Sequence, residues 1–254
     1  MRNYTFLFNV LWDLGYFIGD SSGDWAEKRT VDRANAYEGA SIEDATARFQ
    51  EFYGLDIDGW FGPQCLGVLA SRFCSCPDIQ PAATGATWQK SDISVFVHES
   101  RSYGGLSREM VVKHFTTACA NWNEQLEINL TWGSASDDDI WSTFQPIDGS
   151  NGTLAWSVLG YSGVTRLEQR YNARGDWTNR SRLDIVSTHE IGHALGIAHT
   201  SPSSQPGLMN PIYTTEYPKP TKHDVEAGSA YFTVRDDAPD PGDPKPNIDA
   251  RLII

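Results

Sequence analysis

The stretch STHEIGHALGIAHT, residues 187–200, is the part of this 254-residue chain that decides the fold. Its histidines are His189, His193 and His199. Residues four apart share one face of a helix, so His189 and His193 can bind the same ion. Gly196 tolerates the left-handed conformation that ends many helices, and this lets the chain turn back to present His199. The spacing predicts a catalytic zinc site with one open coordination position.

Glu190 stands directly after the first of these histidines and is predicted to be a general base rather than a ligand. A bound Zn²⁺ lowers the pKa of its water to about 7 and polarises a peptide carbonyl. Glu190 would accept a proton from that water and return it to the departing amine. A histidine pair at this spacing also occurs by chance on ordinary helices, but Gly196 and His199 complete HExxHxxGxxH and favour the metal site.

The helix that carries the motif is predicted to run from Ser181 to Gly196, with Asp184 completing a capping box three residues after Ser181. The other three histidines are scattered and are interpreted as surface or satisfied core residues: His98, His114 and His223. They therefore add no further ligand to the predicted site.

Met209 lies ten residues after the third histidine, within GLMNPIY at residues 207–213. HExxHxxGxxH followed by such a methionine resembles the metzincin proteases, and Thr200 narrows the resemblance to the matrixins, the matrix metalloproteinase family. The likeness spans about residues 90–232. It implies a zinc-dependent endopeptidase with an α+β catalytic domain of the metzincin type, a twisted mixed sheet with long helices. It also implies that Met209 forms an apolar floor beneath the metal.

Two short segments resemble the substrate-binding parts of that family. Pro211, Ile212 and Tyr213 match its wall-forming Pro-x-Tyr, which lines the pocket for the side chain just past the scissile bond. Leu154 and Ala155 resemble the edge strand along which a polypeptide substrate pairs its backbone. The resemblance therefore implies a polypeptide substrate bound in extended form.

The chain departs from the family at a second metal site. Matrixins generally hold a structural zinc through histidines in the loops before the catalytic helix, but this chain has Trp156 and the histidine-free stretch 169–172 there. We therefore predict one zinc per chain. Of the acidic positions that would hold calcium, Asn172 and Asp176 remain, so calcium stays an open alternative.

Composition and apolar patterning divide the chain into three parts. Residues 1–80 are predicted to form a small helical domain, residues 81–232 the catalytic domain, and residues 233–254 an extended acidic, proline-rich tail. In the catalytic domain the patterns predict a strand at 93–97, a helix at 107–126, and strands at 128–132, 139–144 and 154–158. Residues 221–231, which contain Asp224, resemble the closing helix of the family.

The first domain is predicted to contain three helices, followed by a linker at residues 76–87. Residues 1–19 are interpreted as a first helix rather than a secretory signal, since no small-residue cleavage site follows them. Ser41 and Asp44 form a capping box that opens the helix at residues 41–52. A further short helix is predicted at residues 65–73.

The end of this domain, Arg72 to Asp78, reads RFCSCPD and resembles the cysteine-switch sequence PRCGVPD of the matrixin prodomain. Cys74 matches the switch cysteine, whose thiolate would fill the open zinc position and keep a zymogen latent. Phe73 stands where the family has arginine, and Ser75 where it has glycine, so neither the supporting ion pair nor the tight backbone is assured. The alternative is a purely structural cysteine.

A second resemblance gives the first domain another interpretation. Residues 58–63, DGWFGP, are similar to a turn of peptidoglycan-binding domains. On this alternative the chain is a cell-wall-binding or structural protein whose protease-like domain is idle, and peptidoglycan is its partner.

The composition excludes some classes of function. The net charge of −13, from 33 acidic and 20 basic residues, disfavours the phosphate backbones of nucleic acids. No apolar run reaches the roughly 20 residues of a membrane-spanning helix. Four cysteines are too few for a disulfide framework at this length. The family resemblance implies a secreted or extracellular location, and oligomeric state has no signature in the sequence.

Overall fold

The computed structural model describes residues 4–17, 42–79, 88–134, 138–149, 152–161, 163–178 and 182–241. The predicted caps Ser41 and Ser181, linker residues 80–87 and tail residues 242–254 lie outside these ranges. Within them, no helix has the length and apolar character needed to cross a lipid bilayer.

The described part of the chain contains six helices and five strands, numbered here in chain order. The helices are α1 (Tyr4–Asp13), α2 (Ile42–Tyr53), α3 (Pro63–Ser71), α4 (Arg108–Asn123), α5 (Leu183–Ala194) and α6 (Lys222–Gly228). The strands are β1 (Asp92–Val97), β2 (Asn129–Trp132), β3 (Ile140–Gln145), β4 (Ala155–Ser157) and β5 (Leu167–Asn172).

The strands form one mixed sheet in the order β2-β1-β3-β5-β4. Strands β2, β1, β3 and β5 run parallel, and β4 pairs antiparallel with β5 at one edge. Short β4 forms an edge of this five-stranded sheet, and its other side pairs at Ala155 with Cys74. A mixed sheet packed with long helices confirms the predicted α+β fold.

Helices α4 and α5 pack against each other and share the main core with the sheet. Ser107 caps α4 by accepting a hydrogen bond from the Met110 backbone nitrogen at 3.3 Å. Phe115 and Trp122, on the inner face of α4, are fully buried. The indole Nε1 of Trp122 donates to the Thr188 carbonyl at 2.8 Å, which fixes α5 against α4.

The N-terminal module, helices α1 to α3 with the segments between them that the structure describes, has its own small core of aromatic and aliphatic side chains. It rests on the loop that follows the third histidine, because the Ser201 hydroxyl donates to the Phe52 carbonyl at 2.6 Å. Ile212 from the other domain is buried in the module's core. The module therefore covers the predicted pocket wall.

Some elements differ from the sequence-based predictions. The patterns do not predict β5. Helix α3 ends at Ser71 rather than Phe73, because Arg72 is extended with ψ 137°. Helix α5 begins at Leu183 with Arg182 as N-cap, after the predicted start at Ser181, which lies outside the described residues. The first residue of the predicted tail is hydrogen-bonded to the rest of the chain, because the Glu127 nitrogen donates to the Thr233 carbonyl at 2.8 Å.

Candidate metal centre

Three imidazoles from α5 and the turn after it converge in a buried cluster. His189 and His193 lie four residues apart on α5. The turn that follows contains Gly196 at φ +100°, a conformation that side chains with a Cβ rarely adopt, and it returns the chain to place His199 beside them. The ring centroids of His193 lie 4.7 Å from those of both other histidines. The structure thus brings the three predicted ligands together.

The Nδ1 atom of each imidazole faces an oxygen atom of the protein. The Nδ1 of His189 donates to the Leu208 carbonyl at 2.7 Å, and that of His193 to the Ile197 carbonyl at 2.7 Å. The Nδ1 of His199 lies 3.3 Å from a carboxylate oxygen of Asp78. These acceptors leave Nε2 as the atom that carries the lone pair on each ring.

The spacing of these atoms fits a tetrahedral zinc ion. The Nε2 atoms of His193 and His199 lie 3.2 Å apart, and the Cys74 Sγ lies 3.6 Å from Nε2 of His193. Zinc–nitrogen bonds of about 2.05 Å and a zinc–sulfur bond of about 2.3 Å would separate such ligand atoms by about 3.3 Å and 3.6 Å. Ligand atoms of Cys74 and all three histidines lie within 4.8 Å of one another. The donor set therefore suits Zn²⁺.

The electrostatic environment separates one histidine from the other two. Burial lowers the pKa of His199 to about 4 and that of His189 well below its ordinary value, so both rings are neutral at pH 7. Burial also acts to lower the pKa of His193, but the nearby Cys76 sulfur outweighs it and raises that pKa to about 9. A metal ion on Nε2 would displace this proton.

Glu190 lies next to the cluster with its carboxylate fully buried. Neither carboxylate oxygen has a hydrogen-bond partner within the described residues. Burial raises the pKa of this carboxyl well above its usual value, and Cys76 adds to the rise. Its backbone carbonyl accepts a 2.7 Å bond from Gln169 on β5, which ties the motif helix to the sheet. A carboxylate of this kind is suited to receive a proton.

Met209, which is predicted to form the floor of the site, is fully buried. The backbone nitrogens of Leu208 and Met209 each donate to the Asp224 carboxylate at 2.9 Å. The floor presses closely on α5: a Cβ added at Gly192 would stand 2.5 Å from the Met209 sulfur. Only glycine at position 192 avoids this contact.

The cleft beside the cluster is filled by the chain's own residues 72–78, called here the latch segment. The Leu154 nitrogen donates to the Phe73 carbonyl at 2.7 Å, and the Phe73 nitrogen donates to the Pro211 carbonyl at 3.1 Å. The segment pairs at Cys74 with Ala155 in a parallel bridge. It therefore lies between the predicted edge strand and the predicted wall, with Cys74 facing the histidines.

Phe73 closes a pocket below the cleft. Its ring is nearly buried and stands edge-on to His189, with centroids 4.7 Å apart, and 5.8 Å from the ring of Tyr213. The pocket is lined by Phe73, Ile185, Gly207, Leu208, Ile212, Tyr213, Thr214 and Tyr217. Two of the three predicted wall residues, Ile212 and Tyr213, thus line one apolar pocket that the Phe73 ring covers.

An ion pair that is not predicted from the sequence joins the two ends of the latch segment. Arg72, one position earlier than the family's arginine, pairs with the buried Asp78. The hydroxyls of Tyr16 and Tyr53 each donate to the second Asp78 oxygen at 2.9 Å. Burial acts to raise the pKa of Asp78, but Arg72 and His199 outweigh it and hold that pKa below its ordinary value. The supporting ion pair, which the sequence did not assure because Phe73 replaces the family's arginine, is made by Arg72 instead.

The residues at the family's structural zinc and calcium positions contact protein groups in this chain. The guanidinium carbon of Arg170 lies over the Trp156 ring, 5.1 Å from the ring centroid. The Asn172 amide is buried and donates to Asp148 at 3.0 Å and to the Thr153 carbonyl at 2.9 Å. Asp176 accepts from the Thr178 hydroxyl. That the chain binds a single zinc ion remains a prediction, and calcium binding remains an open alternative.

The scattered histidines do not join the cluster; each faces a carboxylate instead. His98 lies 2.6 Å from Asp138, His114 lies 3.9 Å from Asp184, and His223 lies 3.7 Å from Glu226. Three contacts at the site have no signal in the sequence. They are those of Phe73 with the pocket, of Arg72 with Asp78, and of Gln169 with the motif helix.

The site contains three histidines, two on a helix and one after the turn that ends it, with a buried glutamate and a buried methionine nearby. This arrangement is typical of a metallopeptidase domain. Residues 87–232 match the model of the matrixin family, described as Matrixin, and this match covers more than half of the chain. The chain belongs to the matrixin family, whose members depend on zinc.

Individual relatives agree with this assignment. Matrix metalloproteinase-18 of Xenopus laevis is 27% identical over 80% of this chain and 44% of that protein. Neutrophil collagenase of Homo sapiens is 27% identical over 82% of this chain and 49% of that protein. Matrilysin of Mus musculus is 26% identical over 73% of this chain and 75% of that protein. The chain spans about half or less of the length of the first two relatives.

Proposed function

We propose that the chain is a zinc-dependent endopeptidase that cleaves extended polypeptides and is made in a latent form. The observation that carries the proposal is the convergence of Cys74 with His189, His193 and His199 next to the unpartnered Glu190 carboxylate. The three histidines would hold the ion in the cleaving enzyme. When bound, zinc would supply a water of pKa about 7 and polarise the scissile carbonyl.

The chain's own residues would perform the remaining steps. Leu154 and Ala155 would pair with the substrate backbone, as they pair with the latch segment here. The apolar pocket walled by Ile212 and Tyr213 would receive the side chain that follows the scissile bond. Glu190 would take the proton of the attacking water at its carboxylate and pass it to the leaving amine.

Latency would come from the latch segment, with Cys74 as the fourth ligand in place of water. Its backbone blocks the edge strand, its Phe73 ring covers the pocket, and its sulfur stands where the water would act. The Arg72–Asp78 pair anchors the segment to Tyr16 and Tyr53 of the N-terminal module. Residues 1–80 would therefore act as a prodomain that must be cut away from residues 81–232.

The test uses a full-length chain with a site for a specific protease inserted between residues 80 and 87. We expect little cleavage of a casein substrate before cutting and an increase of at least tenfold once the N-terminal part is removed. A zinc chelator should abolish that activity. Glu190→Ala in the cut enzyme should keep one zinc but lose activity by orders of magnitude; unchanged turnover in this variant would refute the mechanism.

A second candidate function concerns the N-terminal module alone. In its DGWFGP turn the Gln50 side chain binds Asp58 at 2.7 Å and holds the turn shape, while Trp60 and Ile57 point outward with more than half of their surface exposed. These apolar side chains favour a binding surface, and peptidoglycan is the candidate partner. A pull-down of the full chain on purified peptidoglycan, with Trp60→Ala as control, tests it.

The proposed substrate class fits a secreted or extracellular enzyme, in line with the family. Detection of the processed chain in the culture medium of its source cells would support this location.

A further inference from the structure

We propose that Cys76 is a second metal-binding thiol of the latch, able to take the place of Cys74 on the zinc ion. This inference rests on the proposed function, because it assumes that the latch segment binds the ion through sulfur. It adds a ligand that the single-cysteine switch motif does not contain.

The spacing of the two cysteines places both thiols on one side of the latch segment. Cys74 and Cys76 are separated only by Ser75, and a bend at Cys76 brings the two sulfur atoms within 4.8 Å of each other. Both are buried, with 2% and 4% of their surface exposed. The Cys76 backbone nitrogen lies 3.4 Å from the Cys74 sulfur, so the chain bends closely around that atom.

A second group of metal-binding atoms overlaps the first. Ligand atoms of Cys74, Cys76, Glu190 and His193 lie within 4.8 Å of one another, as do those of Cys74 and the three histidines. The two groups share Cys74 and His193. The Glu190 carboxylate in the second group is fully buried and has no hydrogen-bond partner among the described residues. A buried carboxyl group beside two sulfurs and an imidazole offers oxygen, sulfur and nitrogen ligands to one cation.

The surroundings of Cys76 hold it beside the histidine cluster. The Arg72 guanidinium donates to the Cys76 carbonyl at 2.7 Å and fixes its backbone. The thiol donates to the Ser157 carbonyl at 3.2 Å, and its sulfur lies within 4.8 Å of the ligand atom of His193. A thiol is a weak donor, so little is lost when this bond is exchanged for a metal–thiolate bond.

The consequence is a latch that survives the loss of one sulfur. If Cys74 is replaced, the latch segment stays anchored by the Arg72–Asp78 pair and the Phe73 ring, and Cys76 can turn toward the ion. A Cys74→Ser change alone would then leave the enzyme latent. Both thiols must be removed to expose the open position.

The experiment replaces zinc by cobalt(II) in the full-length chain, because a thiolate bound to cobalt gives a charge-transfer band in the near ultraviolet. The proteins compared are the parent, Cys74→Ser, Cys76→Ser and the double variant, with Cys119→Ala as the control for a buried thiol of the core. Cobalt content, the band and the cleavage of casein by the zinc forms are measured for each. Cys74→Ala is prepared in parallel in case the serine variant does not fold.

We expect the band, and latency, in the parent, in both single variants and in the control. The double variant should bind cobalt without the band and should cleave casein at least tenfold faster than the parent. Loss of the band in Cys74→Ser and Cys74→Ala, with cobalt still bound, overturns the role of Cys76 but leaves the latch intact. A band that persists in the double variant also overturns it. A parent that binds cobalt without a band contradicts the latch itself, and with it this inference.

Discussion

Arg72 and Asp78 form a buried ion pair that joins the two ends of the latch segment and closes it around Cys74. The side chains of the pair are 6% and 0% exposed. Two tyrosine hydroxyls donate to Asp78, and the Arg72 guanidinium donates to the carbonyls of Cys74 and Cys76. Asp78 also lies 3.3 Å from His199, so the same carboxylate touches the latch anchor and the metal cluster. Loosening the pair should therefore affect both stability and latency.

Arg72→Ala should lower the free energy of unfolding of the full-length chain by about 3–5 kcal/mol, because it leaves the Asp78 charge buried without a partner. The same variant should cleave casein before any processing. Chemical denaturation and the activity of the unprocessed chain measure the two effects.

Lys219→Ala is the matched control, since Lys219 pairs with Glu124 at 2.9 Å on the surface. Exposed pairs contribute about 0–1 kcal/mol, so this variant should stay latent and nearly as stable as the parent. If the Arg72→Ala chain is as stable as the control and, like it, does not cleave casein before processing, the ion pair does not hold the latch.

The histidine cluster could be predicted from the sequence because its geometry is local. His189 and His193 are set by the helical repeat, and Gly196 sets the turn that brings in His199. The methionine floor follows from family resemblance. These features depend on a few consecutive residues and not on how distant parts of the chain meet.

The missed features depend on contacts between distant residues. Strand β5 reads LEQRYN, and its buried Gln169 breaks the apolar alternation, although hydrogen bonds to Ser142, Ser157 and the motif helix satisfy it. The ion pair of Arg72 with Asp78 requires the bend between them, which no spacing rule supplies. Phe73 appeared as a departure from the motif, yet its ring covers the pocket.

Gly192→Ala should lower the free energy of unfolding of the chain by about 1–3 kcal/mol, the usual cost of overpacking a core. The added Cβ would stand 2.5 Å from the Met209 sulfur and 2.8 Å from the Trp122 ring. Gly149→Ala is the control, because a Cβ there would meet nothing within 4 Å. Thermal unfolding of both variants measures the difference; equal melting temperatures would mean that α5 does not press on the floor.

Asp224→Ala should weaken both the fold and metal binding. The carboxylate is fully buried and accepts hydrogen bonds from the Leu208 and Met209 nitrogens and from Thr221. Each donor left unsatisfied costs about 1–3 kcal/mol, and Leu208 also orients His189 through its carbonyl. Zinc affinity, measured by competition with a chelator, should fall at least tenfold, whereas Glu226→Ala on the exposed side of the same helix should leave it unchanged.

Phe73→Ala should loosen the latch segment without replacing any of the proposed metal ligands. Burying this ring contributes about 3–5 kcal/mol to holding the segment in place, by analogy with other buried phenylalanines. The rate at which iodoacetamide alkylates Cys74 in the unprocessed chain, read by peptide mass spectrometry, should rise at least tenfold. Leu66→Ala, an exposed position on α3, is the control and should leave the rate unchanged. An alkylation rate for Phe73→Ala equal to that of the control would mean that the pocket contact contributes nothing to latency, and that the thiol and the Arg72–Asp78 pair hold the segment by themselves.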